Sequence, residues 1–246
     1  PVHFELPPET MVEREEVQLL EPAQIIRKIP SSSLIEQAAK EIATARKPVI
    51  YAGGGIARSD AEAELVAFAE SAGIAVLTSA GGKGTMSEKH PLALGGSLGP
   101  YGLLKDYIED ADLIIGIGTR FSMRNQAGDE ARLVHVDADP EMIGHVHKNT
   151  LGLVGDVKAT LPVLGAAIKS AGGGGWNSPV EEVRDIQRKL TVSEDELNHP
   201  QEDYIQALQK GVPSEAITVF GMTQLGYYSR PRWITEYPKT YIDSGY

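Results

Sequence analysis

The chain has 246 residues, 41% of them hydrophobic, and its 23 Lys and Arg against 34 Asp and Glu give a net charge of −11. This acidic balance argues against a partner that is nucleic acid or an anionic membrane surface, because both need clustered cations. The lack of cysteine excludes disulfides, thiolate metal sites and cysteine nucleophiles. With no apolar stretch near the roughly 20 residues of a membrane span and no signal-peptide pattern, we expect a cytoplasmic protein.

The N-terminal 30 residues differ in pattern from the rest of the chain. Val2–Leu6 is an apolar, strand-like stretch, and the segment after it is acidic and contains Pro7 and Pro8. We therefore expect one strand that belongs to another domain, within residues 1–10, and a linker over residues 11–30.

From residue 31 the sequence alternates helix and strand patterns. The capping-box spacing Ser33–Glu36 predicts a helix that continues to about Lys47, and a second such spacing, Ser59–Glu62, predicts a helix that ends at Gly73. A long glycine-rich loop is expected between Ser79 and Gly102. Further helices are expected at 103–109, after Pro140 and at 157–169, and short apolar strands at 48–52, 74–78, 113–117, 133–137 and 151–154.

Strands that are apolar on both faces and separated by helices indicate a parallel sheet covered on both sides. Right-handed crossovers then give an α/β fold with a doubly wound, Rossmann-like parallel sheet of five or six strands. The sequence predicts this sheet as one complete domain over residues 31–170.

The C-terminal part is incomplete by comparison. A glycine run ending at Gly175 is typical of a hinge, so we expect a linker over residues 171–199 that carries one polar helix. Residues 200–246 then contain a helix and two strand-like stretches, Ala216–Phe220 and Thr240–Ile242. Because two strands are too few for an independent sheet, this segment is expected to be the start of a further domain.

Polar and glycine residues at the strand ends are the candidate ligand contacts. Gly53-Gly54-Gly55 follows a strand and precedes a helix, where a dinucleotide-binding fold brings its backbone close to a phosphate. The spacing is not G-x-G-x-x-G, and a tight turn is the alternative. Asp137 could accept hydrogen bonds from a ribose, whereas Asp139, directly before Pro140, is expected to cap a helix.

Arg120 and Asp156 also end strands. Arg120 could pair with a phosphate or remain a solvated loop cation, and both interpretations stay open. The close pair His145 and His147 lacks a third ligand, so no metal site is expected, and His135 is expected to be a hydrogen-bonded core residue. No catalytic constellation can be assembled from these residues.

Six segments together are more informative than any one of them: residues 47–55, 77–84, 90–95, 111–121, 136–140 and 154–156. In this order they resemble the middle domain of the acetolactate synthase and benzoylformate decarboxylase group of thiamine-diphosphate-dependent enzymes. The resemblance covers about residues 30–170. Residues 1–7 are similar to the last strand of the family's pyrimidine-binding domain. Residues 216–224 and 244–246 are similar to the beginning of its pyrophosphate-binding domain.

The resemblance implies an enzyme that uses thiamine diphosphate and Mg²⁺ to decarboxylate or ligate a small-molecule 2-oxo acid, a lyase or transferase, as a dimer or tetramer. The cofactor supplies that chemistry. The family's activating glutamate is expected before Pro1 and its magnesium motif after Tyr246, so this chain alone is expected to be inactive. The family usually has Asp where this chain has Gly221.

The resemblance also implies which residues contact each cofactor. Residues expected to face thiamine diphosphate are Thr223, Gln224 and Ser244. Some family members bind FAD or ADP on the middle domain, and residues expected there are Gly53, Gly54, Gly55, Thr78, Arg120, Asp137 and Asp156. The alternative function is a stand-alone nucleotide-binding regulatory module. An NAD-dependent dehydrogenase is disfavoured because the glycine fingerprint is missing.

Overall fold

The computed structural model describes residues 3–24, 26–96, 102–121, 131–174, 178–191 and 200–243. The helices are α1 (Ser32–Thr44), α2 (Gly55–Arg58), α3 (Glu62–Ala72), α4 (Leu103–Glu109), α5 (Val157–Ser170), α6 (Val180–Thr191), α7 (Gln201–Gly211) and α8 (Gln224–Arg232). The strands are β1 (Pro48–Ala52), β2 (Ala75–Thr78), β3 (Ala93–Gly96), β4 (Leu113–Ile117), β5 (Arg132–Asp137), β6 (Thr150–Val154), β7 (Thr218–Phe220) and β8 (Tyr241–Asp243). Short 3₁₀ turns lie at Thr10–Val12, Ala80–Gly82 and Pro140–Met142.

Six parallel strands form the main sheet in the order β3-β2-β1-β4-β5-β6. Helices α1, α3 and α5 cover one face, and α4 and α6 cover the other. Along β1, Ile50 packs on the first face and Tyr51 on the second. The predicted α/β class with a doubly wound, Rossmann-like parallel sheet is therefore confirmed.

Both predicted capping boxes are wrong in detail. Ser31, not Ser33, caps α1, since its hydroxyl accepts a hydrogen bond from the Leu34 amide at 3.4 Å. The second helix, α3, begins after Ala61 without a side-chain cap. Ser59 instead ends the short helix α2, and Asp60 then takes a left-handed conformation with φ 52°. The chain reverses at Asp60, so Ser59 cannot cap α3.

Two strand predictions are also corrected by the structure. Strand β3 lies inside the stretch that was expected to be a glycine-rich loop, and it pairs with β2 through an irregular register at Val76/Leu77. Its sequence is too short and too rich in glycine to show a strand pattern. Conversely, the strand expected at Val2–Leu6 is not formed over residues 3–6, which are exposed and have no regular structure. A lone strand has no neighbour to satisfy its backbone hydrogen bonds.

The C-terminal unit is a two-stranded parallel sheet, β7 and β8, packed against α7 and α8. One face is buried through Ile205, Trp233 and Tyr241. The opposite face leaves three large apolar side chains exposed: Ile217, Val219 and Ile242. Parallel sheets are normally covered on both faces, whereas this sheet is covered on one face only within the described residues. Within the described part of the chain, no helix has the length and apolarity needed to cross a membrane.

Candidate functional site

The loops after three neighbouring strands meet at the carboxyl edge of the main sheet. The Gly53 amide donates to Ile117 O at 2.8 Å, and the Gly55 amide donates to Gly118 O at 2.9 Å. The strand order reverses between β1 and β4, so these loops lie at the switch point where α/β sheets of this kind bind ligands. The structure therefore brings the glycine triplet to the place that the sequence predicted.

The glycine triplet is packed tightly against neighbouring backbone. A Cβ on Gly53 would overlap Gly118 O, and one on Gly55 would lie 2.6 Å from Gly118 Cα. A Cβ on Gly54 would lie 2.7 Å from Gly81 O. Side chains cannot fit at these distances, so loop packing alone requires glycine here. A phosphate contact for the triplet stays a prediction.

The other predicted nucleotide contacts lie along the same edge. Thr78 is buried and donates to Gly95 O at 3.3 Å, which ties β2 to β3. Arg120 is exposed beyond β4. Asp137 ends β5, where its Oδ1 accepts the Asp139 amide at 2.9 Å. Asp139 in turn caps the turn at Pro140–Met142, as predicted, by accepting the Glu141 amide at 3.0 Å.

His135 is the hydrogen-bonded core residue that the sequence predicted. It is buried in β5, and its Nε2 lies 2.8 Å from Thr119 O. Burial lowers the pKa of His135, although the Thr119 carbonyl and the Asp137 carboxylate act to raise it. Folding therefore favours the neutral ring, whereas the unfolded chain binds a proton below its ordinary pKa of about 6.5.

Acidification from pH 7 to pH 5 should consequently destabilise the protein through His135. The loss begins as the pH falls below the unfolded pKa and increases as the pH is lowered towards 5. A His135→Gln variant keeps a donor for the Thr119 carbonyl and does not titrate, so its unfolding free energy should fall less over the same range. Urea denaturation at the two pH values measures this difference. Equal losses in parent and variant would show that His135 does not drive the pH dependence.

Asp156 follows β6, and both of its carboxylate oxygens accept hydrogen bonds from other residues of the chain. One carboxylate oxygen caps α5 by accepting the Ala159 amide at 3.0 Å, and the other accepts Arg27 Nη1 at 2.7 Å. Arg27 also donates to Ser59 O at 3.1 Å, and the Asp156 amide donates to Lys28 O at 2.8 Å. Partial burial acts to raise the pKa of Asp156, but these hydrogen bonds together outweigh it and lower the pKa. A ligand role for Asp156 stays a prediction, and sequence reasoning missed its partner Arg27.

Replacing Asp156 by alanine should cost about 1 to 2 kcal/mol, because the α5 cap and a partly exposed ion pair are lost together. Asp156→Asn keeps the capping oxygen and should cost about half as much. Thermal unfolding of the two variants beside the parent measures the difference. If asparagine is as damaging as alanine, the cap is not the dominant contribution.

The second candidate edge is formed by β7 and β8. The two strands are parallel neighbours, with Phe220 opposite Asp243, so the residues after them leave at the same edge. Thr223 caps α8 by accepting the Gly226 amide at 3.2 Å, and Gln224 Oε1 accepts Gln201 Nε2 at 2.9 Å. Ser244, the third residue predicted at this edge, lies outside the described residues.

Gly221 and the start of α8 fit the diphosphate end of a cofactor. A Cβ on Gly221 would meet no atom within 4 Å, so open space lies directly after β7. The N-terminus of α8, which begins three residues later, carries a partial positive charge that favours an anion nearby. The described residues hold no cluster of three or more His, Asp or Glu that could bind a metal ion. The open space at Gly221 and the start of α8 are therefore compatible with a diphosphate group.

A groove of about 530 Å³ runs between α3 and α5. Its walls are mostly apolar, with Phe68 and Leu161 among them. None of the predicted site residues lines it, so the groove is separate from both strand edges.

Several known proteins resemble the chain. The central domain of thiamine pyrophosphate enzymes matches residues 35–164. The acetolactate synthase large subunit of Corynebacterium glutamicum is 34% identical over 236 residues, which cover 88% of this chain and 36% of that protein. An acetolactate synthase of Mycobacterium avium is 30% identical over 229 residues, covering 88% of this chain and 37% of that protein. This chain thus spans little more than a third of the length of these relatives.

The fold is shared with solved structures as well. Benzoylformate decarboxylase from Polynucleobacter necessarius superposes with a TM-score of 0.66 at 22% identity, covering 93% of this chain and 43% of that one. At this level of identity the likeness concerns the fold alone. It includes the C-terminal unit, since the superposition extends well beyond the main sheet.

Proposed function

The chain belongs to the thiamine pyrophosphate enzyme family, whose central domain it contains, and on this premise we propose that it is part of a thiamine-diphosphate-dependent 2-oxo-acid decarboxylase or carboligase. The names of its relatives support this reaction class, since they are acetolactate synthases and a benzoylformate decarboxylase. When bound, thiamine diphosphate supplies the nucleophilic carbon that attacks the 2-oxo group. The residues of this chain hold and orient the cofactor.

The open edge of the β7–β8 sheet is the observation that carries the proposal. Gly221 leaves space after β7, and α8 begins three residues later at Gln224. Thr223, Gln224 and Ser244 are the residues proposed to face the diphosphate there. Strands β7 and β8 do not belong to the main sheet, which has its six strands without them.

The proposed division of the chain rests on the same reasoning. Residues 31–170 form the middle domain, while residues 1–10 and 200–246 belong to the two catalytic domains and are joined to it by residues 11–30 and 171–199. The match to the central domain lies inside this middle range, and the similarity to the Corynebacterium glutamicum protein extends past it. The bare apolar face of β7 and β8 supports a further domain that covers it. The whole enzyme is proposed to be a cytoplasmic homo-oligomer, a dimer or tetramer.

A nucleotide on the main sheet is a separate proposal. The glycine triplet lies at the switch point, and the exposed Arg120 and the strand-end Asp137 lie along the same edge. The glycine triplet is closely packed against neighbouring backbone, and the Asp156 carboxylate is already bound to Arg27. Both observations reduce the number of groups that a nucleotide could contact at this edge. Equilibrium dialysis of the chain against FAD and ADP tests this site independently of the thiamine chemistry.

The test of the proposed function uses the protein that contains this chain together with the missing parts of both catalytic domains. Carbon dioxide release is measured from 2-oxo acids with small and with aromatic side chains, with and without thiamine diphosphate and Mg²⁺. We expect release that depends on both cofactors, and none from the 246-residue chain alone. Turnover by the isolated chain would refute the division. A protein that binds FAD or ADP but not thiamine diphosphate would instead support the stand-alone nucleotide module.

A further inference from the structure

A buried ion pair lies between the main sheet and the C-terminal unit. Lys83 directly follows the turn Ala80–Gly82, which comes after β2. Lys83 Nζ lies 2.5 Å from Glu88 Oε1. Their side chains are only 1% and 8% exposed. Burying two charges costs much of their hydration, so the pair persists only where other groups complete its hydrogen bonds. Neither residue has a part in the proposed cofactor contacts.

Glu88 fastens the segment between α8 and β8. Its Oε2 accepts the Thr235 amide at 2.8 Å, and its own amide donates to Thr235 O at 2.9 Å. Gly84 permits this approach, because it has φ 83° and a Cβ there would lie 2.8 Å from Thr235 Cγ2. From α6, Gln187 Nε2 donates to Glu88 O at 3.1 Å. Glu88 is thus bound both by Thr235 of the C-terminal unit and by Gln187 of α6. We call the contact region of Lys83, Glu88 and Thr235 the junction.

Lys83 extends the same junction to β8. Its ammonium lies 5.4 Å from the centre of the Tyr241 ring, a distance at which a cation is attracted to an aromatic face. Tyr241 is the first residue of β8, and its hydroxyl lies 2.9 Å from Ser229 Oγ in α8. At the other end of β8, Asp243 is paired with Arg230 of α8. Both ends of the strand are therefore held by polar contacts with α8, buried at Tyr241 and part-buried at Asp243.

We propose that the Lys83–Glu88 pair is a positioning device that holds β8, and with it the edge proposed to face the diphosphate, in place against the main sheet. This inference rests on the proposed function for its consequence, since β8 forms the proposed cofactor edge together with β7. Lys83 and Glu88 act through Tyr241 and Thr235 and do not touch the cofactor. Pre-organised contacts of this kind raise affinity because less of the site has to be ordered on binding.

The test compares two double variants that both remove the buried charges. K83M/E88L fills the space with apolar side chains and removes the acceptor for the Thr235 amide. K83M/E88Q is matched to it but keeps an amide oxygen at that place. Hydrogen exchange is measured on the 246-residue chain, in the peptides that span residues 233–243 and, as a reference, residues 48–52. The affinity for thiamine diphosphate with Mg²⁺ is measured on the complete protein.

K83M/E88L should exchange about tenfold faster over residues 233–243 and no faster over β1, because only the junction is loosened. The same variant should bind thiamine diphosphate about tenfold more weakly, and K83M/E88Q should recover part of both effects. Unchanged exchange in residues 233–243, or faster exchange with unchanged affinity, would overturn the inference. A parent protein that does not bind thiamine diphosphate would refute the proposed function. Faster exchange of K83M/E88L over residues 233–243 would in that case still show that the pair holds this segment in place.

Discussion

Gly53→Ala is expected to lower the free energy of unfolding by about 3 kcal/mol, the upper part of the range for overpacking a well-filled site. The added methyl would overlap Gly118 O, a backbone atom that cannot rotate away as a side chain could. Relief would require the loops after β1 and β4 to separate, and the Gly53 amide would then lose its bond to Ile117 O. Urea denaturation of the variant and the parent measures the loss.

Gly81→Ala is the matched control for this experiment. Gly81 lies in the neighbouring loop, yet a Cβ there would meet no atom within 4 Å, and its φ is not positive. Its substitution should change the unfolding free energy by no more than about 0.5 kcal/mol. If both variants are equally stable, the loops are less closely packed than the structure shows. The glycines would then be available for another purpose, such as approach to a phosphate.

Lys83→Met is expected to cost about 3 to 5 kcal/mol, because it leaves the Glu88 carboxylate buried without its counter-charge. The hydrogen bond from the Thr235 amide remains, but it cannot replace a full positive charge. The unfolding free energy from urea denaturation again measures the effect.

Two controls separate the buried charge from other consequences of this substitution. K83M/E88Q removes both charges, keeps an acceptor for the Thr235 amide and should recover most of the stability, because no charge is then left buried without its partner. Lys189→Met breaks an exposed pair with Asp185 and should cost less than about 1 kcal/mol. A double variant as unstable as Lys83→Met would mean that packing, not charge, accounts for the loss.

Two of the strands that the sequence predicted share one property. Pro48–Ala52 and Leu113–Ile117 are continuous apolar runs, and the structure buries every residue of both. Strand β3 has the sequence Ala-Leu-Gly-Gly, which carries no such signal, and only pairing with β2 makes it a strand. The capping-box spacing at α1 pointed to Ser33, but the cap is Ser31, which has Leu34 and not Glu or Gln three residues later. A strand can be predicted from its own sequence when that sequence is a continuous apolar run. A strand such as β3, which forms only by pairing with a neighbouring strand, cannot be predicted in this way.

The site shows the same limit. Residues at strand ends, such as Asp137 and the glycine triplet, were predictable because parallel strands end at one edge. The contact of Arg27 with Asp156 joins residues 129 positions apart, and that of Glu88 with Thr235 joins residues 147 apart. No spacing rule connects such positions, so neither contact could be predicted. Both became visible only when the fold brought the linker and the C-terminal unit against the sheet.

The most direct test of the proposed cofactor site is a calorimetric titration of the complete protein with thiamine diphosphate and Mg²⁺, for the parent and for Gly221→Phe. Gly221 faces open space, so a phenylalanine there can be accepted by the fold while it fills the place proposed for the diphosphate. We expect saturable, magnesium-dependent binding by the parent and at least about tenfold weaker binding by the variant, at an unchanged unfolding midpoint. Failure of the parent to bind, or equal affinity in the two proteins, would contradict the proposed site.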